Sequence, residues 1–279
     1  MSLKAVEMTG VSFHYDGVDG SKIRALHDIN LELEYGEKVA VLGANGSGKT
    51  TLFYHLNGLL LPQSGEITVQ GTEVNKKNRK ELIKNVGIVF ENPDNQLFST
   101  TVYDDVAFAY RNQNFSEKEI KNKVPALLDK VQAGDLAEKS PYNLSWGQKK
   151  RVAIAATLAM DPDILIFDEP FSGLDPLVSK YLMALLEDLH EEGKTILMGT
   201  HNVDIAHSWA DKIIILYEGE VFAAGPVDLL EDKELMEKVH LDTPLLAKIF
   251  EGSSYTPRSV TEARQLINNL SFNPVDQDT

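Results

Sequence analysis

The sequence predicts an α/β fold: a largely parallel sheet joined to an antiparallel β subdomain, an α-helical subdomain and a small C-terminal helical extension. Three observations carry this expectation. Short, almost wholly apolar runs, Lys38–Leu42 (KVAVL) and Ile164–Phe167 (ILIF), stop abruptly at glycine or acid, as strands buried on both faces of a parallel sheet do. The first third alternates instead. Ile29, Leu31 and Leu33 fall on one face and Asn30, Glu32 and Glu34 on the other, the pattern of a half-buried antiparallel strand. From about Tyr103 to Met160 the apolar residues recur at helical spacing.

The remaining elements follow in chain order. Glu66–Val74 (EITVQGTEV) points Ile67 and Val69 inward and turns at Gly71. Ser116 with Glu119 three residues later forms a capping box, and Ile120, Val124, Leu127, Leu128 and Val131 continue it as a helical stripe. Pro125 interrupts that stripe, so a kink or two short helices are expected. After Asp161 come the ILIF strand, a helix opened by Pro176 and closed by Gly193, the TILMG strand, a short helix and a hairpin at IIILYEGEVFAAG. From Val227 an acidic, weakly helical segment remains. The expected division is an α/β unit at 1–226, with its helical part at about 95–158, and an extension at 227–279.

Composition excludes several functions. A formal net charge of −15 and a pI near 4.9 argue against a nucleic-acid surface, which needs Lys and Arg to neutralise phosphates. The one basic cluster, Lys76, Lys77, Arg79 and Lys80, reads as a solvated face. With no cysteine, disulfides, thiolate metal sites and catalytic thiols are impossible. The opening MSLKAVEMTG lacks the apolar core of a signal peptide, and the longest apolar runs fall short of the ~18 residues a membrane span needs. A soluble, cytoplasmic chain is expected.

The chemistry is concentrated in a few stretches. GANGSGKT (Gly43, Ala44, Asn45, Gly46, Ser47, Gly48, Lys49, Thr50) lies between the KVAVL strand and the helix-like TTLFYHL, a helix beginning near Lys49, the context that a phosphate-binding P-loop requires, and Thr51 joins the nucleotide-binding residues. Its glycines let successive N–H groups turn toward phosphate oxygens, and the helix start adds partial positive charge. Lys49 is the cation for those oxygens and Thr50 a hydroxyl for Mg2+. ILIFDEP (Ile164–Pro170) delivers Asp168 and Glu169 from a strand end: Asp168 to hold Mg2+ through water, Glu169 to act as general base on the attacking water. His201, at the mouth of the TILMGTH strand, would face the γ-phosphate. In LSWGQKK (Leu144–Lys150), Ser145 and Gln148 form a second capping box, and Ser145 with Gly147 makes a second anion-binding helix end.

In that order, GANGSGKT, LSWGQ, ILIFDEP, SGLD (Ser172–Asp175) and GTH (Gly199–His201) resemble the ATPase subunit of ATP-binding-cassette (ABC) proteins over roughly Val6 to Pro226. The resemblance implies ATP and Mg2+ and a head-to-tail dimer, in which Ser145, Gly147 and Gln148 of one subunit close over the nucleotide held by the other. It places Asp175 at the dimer seam. Tyr15 (VSFHY) matches the aromatic that stacks on adenine; packing at a β-edge is its alternative. Where the family normally carries a Gln that touches Mg2+ and water, this chain has Glu91, a carboxylate that can still reach Mg2+ but adds charge beside Asp168 and Glu169 and cannot donate a hydrogen bond.

The stretch after Glu91, NPDNQLFSTTVYDDVAF, is similar to the coupling loop of energy-coupling-factor importers, and QKKRVAIA is similar to their cobalt type. Gln96, Leu97 and Phe98 would then dock a helix of the membrane subunit, or else Leu97 and Phe98 pack between subdomains. The tail likewise either holds two ATPase subunits together or packs on its own domain. The family reading is an ATPase, homodimeric or paired with a related ATPase, on the cytoplasmic face of the membrane beside an energy-coupling transmembrane subunit and a substrate-binding membrane subunit. It would power uptake of cobalt or nickel, or alternatively of a vitamin; a soluble ABC ATPase without a transport role is a further alternative. The seven histidines show no chelating pair, so the chain itself is not expected to bind the transported metal.

Overall fold

The computed structural model describes residues 4–253 and 255–271. In chain order the strands are β1 (Lys4–Asp16), β2 (Lys22–Glu34), β3 (Lys38–Leu42), β4 (Ser64–Val69), β5 (Thr72–Glu73), β6 (Val86–Val89), β7 (Ile164–Asp168), β8 (Thr195–Thr200), β9 (Lys212–Tyr217) and β10 (Glu220–Pro226). The helices are α1 (Lys49–Leu56), α2 (Arg79–Asn85), α3 (Val102–Asn112), α4 (Glu117–Lys130), α5 (Trp146–Leu158), α6 (Pro176–Glu191), α7 (Val203–Trp209), α8 (Lys233–Lys238), α9 (Leu245–Ile249) and α10 (Val260–Ser271).

Two sheets organise the chain. An antiparallel sheet has the order β2-β1-β4-β5, and a second sheet the order β10-β9-β3-β8-β7-β6, parallel from β9 to β6 with β10 antiparallel at its edge. The hairpin between β9 and β10 turns through Glu218 and Gly219, both at positive φ (50° and 82°), the geometry a two-residue hairpin demands.

The parallel sheet is buried on both faces, and its period-2 geometry divides the core. Val39 and Val41 of β3 join Phe53, Leu56, Ile29 and Leu33 beneath the antiparallel sheet; Ala40 and Leu42 join Phe167, Val106, Val152 and Ile154 beneath the helices. The strand alternation at Ile29, Leu31 and Leu33 is realised as expected.

Both expected capping boxes form, Ser116 with Glu119 and Ser145 with Gln148. Two short helices do not form at Pro125: α4 runs unbroken from Glu117 to Lys130 with the proline inside it. Pro125 and Lys121, whose carbonyl loses its helical donor, both lie on the exposed face, where water can satisfy that carbonyl. The buried stripe Ile120, Val124 and Leu128 holds the helix together from the other side.

The extension's first part packs on its own domain. Leu230, Met236 and Val239 enter the core, and the Arg258 guanidinium donates to the main-chain oxygens of His207 (2.9 Å) and Ala210 at the end of α7. Leu245 and Ile249 remain exposed. Among the described residues no helix is long and apolar enough to cross a membrane. Residues 272–279 of the expected extension lie outside the described residues.

Candidate nucleotide and hydrolysis site

The site lies at the carboxyl ends of β3, β7 and β8, adjacent strands of one parallel sheet, where ligands of such sheets collect. The loop after β3 runs directly into α1, which opens at Gly48 with no side-chain cap. Gly48 has φ +107°, and a Cβ there would stand 2.6 Å from the Ala25 carbonyl oxygen, so only glycine lets the backbone pass. Beside it the Ser47 hydroxyl is buried with no partner among the described residues, a donor left for a ligand.

Lys49 Nζ donates to the main-chain oxygens of Gly43 (2.6 Å) and Ala44 (3.3 Å) and lies 3.9 Å from Glu169 Oε1. Burial holds this ammonium below its usual range, against the pull of Glu169, Asp168 and Glu91. The Thr50 hydroxyl donates to Asp168 Oδ2 at 2.5 Å. Burial raises the Asp168 carboxyl above its usual range, an opposing effect to that hydrogen bond. Two hard oxygens thus meet at the foot of the phosphate loop, a donor set suited to Mg2+. Glu91 follows β6, next to β7, and its charge is felt by Lys49, Asp168 and Lys150.

Glu169 is held on every side. Its N–H donates to Gly199 O (2.9 Å), its carbonyl accepts from Ser172 N–H (3.2 Å) and from Lys150 Nζ (3.1 Å), and its Oε1 lies 2.9 Å from His201 Nδ1. Its φ of +43° is rare for a long side chain and aims the carboxylate out of the strand end. His201 therefore reaches Glu169 itself. Lys150, a single position in the QKKRVAIA run, carried no sequence signal for this contact: only the direction of α5 shows that it points inward.

The other expected residues are placed as follows. Tyr15 is half-exposed, with its hydroxyl 3.2 Å from Thr51 Oγ1 and its ring edge-on to Phe13, so the side chain stands beside α1. Ser145 caps α5, and Asp175 caps α6 by accepting from the N–H groups of Leu177 and Val178. Among the described residues no hydrogen bond or ion pair joins Ser145, Gly147 or Gln148 to the phosphate loop of the same chain. The Trp146 indole donates to Ser172 O (3.1 Å), tying the start of α5 to the Ser172–Asp175 loop. Sequence reasoning passed over it.

The docking trio needs correction. Leu97 is 6% exposed and belongs to the helical core, and the Gln96 amide is spent on Ala153 O and Thr157 Oγ1 of α5, both at 2.8 Å. Phe98 alone is open, 61% exposed and edge-to-face with Phe108 at 5.0 Å. These two rings border a groove of about 760 Å³ that runs past Ile83, Phe90 and Met160.

Sheet order and the loop-to-helix junction at Gly48 define the class: a P-loop nucleotide hydrolase. Comparison with known proteins refines it. The chain matches the ABC transporter family over residues 26–172. It is 42% identical over 271 residues to the energy-coupling factor transporter ATP-binding protein EcfA of Carboxydothermus hydrogenoformans, covering 96% of this chain and 99% of that one. The EcfA of Methanosphaera stadtmanae is 44% identical over 241 residues, covering 85% and 86%. Among solved structures, CbiO1 of Clostridium perfringens, part of the ABC transporter complex CbiONQ, superposes with a TM-score of 0.73 at 39% identity, over 89% of this chain and 99% of that one. A dimeric ATP-binding cassette bound to ADP and phosphate after hydrolysis gives 0.72 at 31% identity, over 80% and 98%. The chain belongs to the ABC transporter ATPases and, within them, to the energy-coupling factor transporter ATP-binding proteins. It hydrolyses ATP, with Mg2+, to drive transport.

Proposed function

We propose that the chain is the ATPase subunit of an importer for a transition metal ion, cobalt or nickel. It would work as a dimer on the cytoplasmic face of the membrane, paired with a copy of itself or a related ATPase. Its partners would be an energy-coupling transmembrane subunit and a substrate-binding membrane subunit. The observation that carries the transport role is the apolar groove bordered by Phe98 and Phe108, braced through Gln96 on the same helix α5 that begins at Ser145. A helix docked there is linked by α5 to Ser145, Gly147 and Gln148 and, through Lys150, to Glu169. The likeness to CbiO1 supports the choice of metal.

Within each subunit the loop Gly43–Thr50 cradles the phosphates and Lys49 pairs with their oxygens. Tyr15 stacks on the base. Thr50 and Asp168, with Glu91 nearby, would hold Mg2+, which neutralises charge on the β- and γ-phosphates. Glu169 takes the proton of the attacking water, and His201, hydrogen-bonded to it, orients that carboxylate. Ser145, Gly147 and Gln148 of the partner subunit complete the site, with Asp175 at the seam. The extension 227–279 adds Leu245 and Ile249 to the subunit contact.

The direct test is recovery of the Glu169→Gln protein from solubilised native membranes with Mg-ATP. A multispanning membrane subunit with a metal-binding companion is expected. A vitamin-binding companion would keep the transport role and replace the metal, whereas ribosomal proteins or no partner would overturn both. Phe98→Glu should weaken that recovery about 30-fold, the effect of losing a central aromatic anchor worth ~2 kcal/mol. Unchanged recovery would move the docking surface elsewhere. Thr50→Val should raise the Mg2+ needed for half-maximal turnover by about tenfold, at least what an outer-shell partner contributes. An unaltered Mg2+ titration would remove Thr50 from the metal site.

A further inference from the structure

Lys150 is a charged side chain in the interior, 1% exposed, in the second turn of α5. Burying an ammonium is costly unless its charge and its donors are answered. Its one hydrogen bond goes to the main-chain oxygen of Glu169 at 3.1 Å, and it forms no ion pair within 4.0 Å among the described residues. Burial pushes the ammonium down to about 8, and three carboxylates oppose that, Glu91 most strongly, then Asp168 and Glu169.

The same three acids act on Lys49. Lys49, however, sits on the phosphate loop and is bonded to loop carbonyls, so bound phosphates compete for its charge. Lys150 stands on α5 and reaches the Glu169 carbonyl rather than a carbonyl of the phosphate loop. It thus holds the carbonyl of a residue at φ +43°, a conformation that persists only where surrounding contacts over-determine it.

We propose that Lys150 is a positioning residue for ATP hydrolysis, fixing the Glu169 main chain in its left-handed turn through its hydrogen bond to the Glu169 carbonyl oxygen. It thereby ties the helix that begins at Ser145 to the hydrolytic carboxylate. The inference rests on Glu169 being the general base.

The test compares steady-state ATPase kinetics of the full chain with Lys150→Met, which removes the donor to Glu169 O, Lys150→Gln, which keeps an N–H donor, and Glu169→Gln as control. Lys150→Met should lower kcat about 10- to 100-fold, the range reached when a catalytic group is misplaced by ~1 Å, with KM for ATP nearly unchanged. Lys150→Gln should restore much of that loss. A purely structural lysine would show neither the split between kcat and KM nor the rescue. Wild-type kcat in Lys150→Met, or a loss undiminished in Lys150→Gln, overturns the proposal. If Lys150→Met does not fold, a folded and active Lys150→Gln supports it, and an unfolded or inactive Lys150→Gln overturns it. Full turnover in Glu169→Gln overturns the base assignment and this inference together. An inactive Glu169→Gln beside a normal Lys150→Met overturns this inference alone.

Discussion

Glu169→Gln should reduce ATP turnover by about 10²- to 10⁴-fold, the contribution of a positioned general base, while ATP binding survives. The substitution is nearly isosteric. The Glu169 main chain keeps its bonds to Gly199, Ser172 and Lys150, and an amide can still bond His201 Nδ1 at the observed 2.9 Å. The ability to accept a proton is what goes. Lys49, 3.9 Å from Oε1, loses an acidic neighbour and should hold phosphates at least as well. Phosphate release and equilibrium ATP binding, measured on one preparation, separate the two effects, and light scattering should show an ATP-dependent dimer. Turnover within a few-fold of wild type would mean that Glu169 is not the base, and His201 would become the next residue to test.

Phe53→Ala should destabilise the protein by about 3–5 kcal/mol, the usual cost of emptying a buried aromatic site. Phe53 is 0% exposed on α1. Its ring lies so close under β8 that a Cβ on Gly199 would fall 2.6 Å from it and 3.0 Å from Asp168 Oδ1. The ring therefore fixes the spacing between the helix that carries Thr50 and the strand ends that carry Asp168, Glu169 and His201. Since whole domains are stable by only about 5–15 kcal/mol, the loss should appear plainly in a urea titration. It should also loosen the Thr50–Asp168 contact and raise the Mg2+ requirement. A change below about 1 kcal/mol would mean that neighbouring Leu52 and Leu56 collapse into the space.

Features legible in the sequence are those whose physics is local. The phosphate loop reads directly because a strand, spaced glycines, a lysine and a helix start must be contiguous to cradle phosphates. The boxes at Ser116 and Ser145 read because a cap and its partner are three residues apart. The strand faces at Ile29–Leu33 read from alternation alone. The continuity of α4 through Pro125 does not read from sequence, because its cost depends on whether Lys121, whose carbonyl is freed, lies on an exposed face, as it does.

By itself, then, the order of residues determined the class of site, its phosphate loop, its acids and the division into strands and helices, because these follow from short-range periodicity and bonding. The tertiary structure alone decided that Leu97 is core and Phe98 surface, that Gln96 braces α5, that His201 meets Glu169 and that Lys150 lies buried behind it. Each of those depends on how elements distant in sequence pack, and burial, unlike helical or strand period, is a property of the assembled chain.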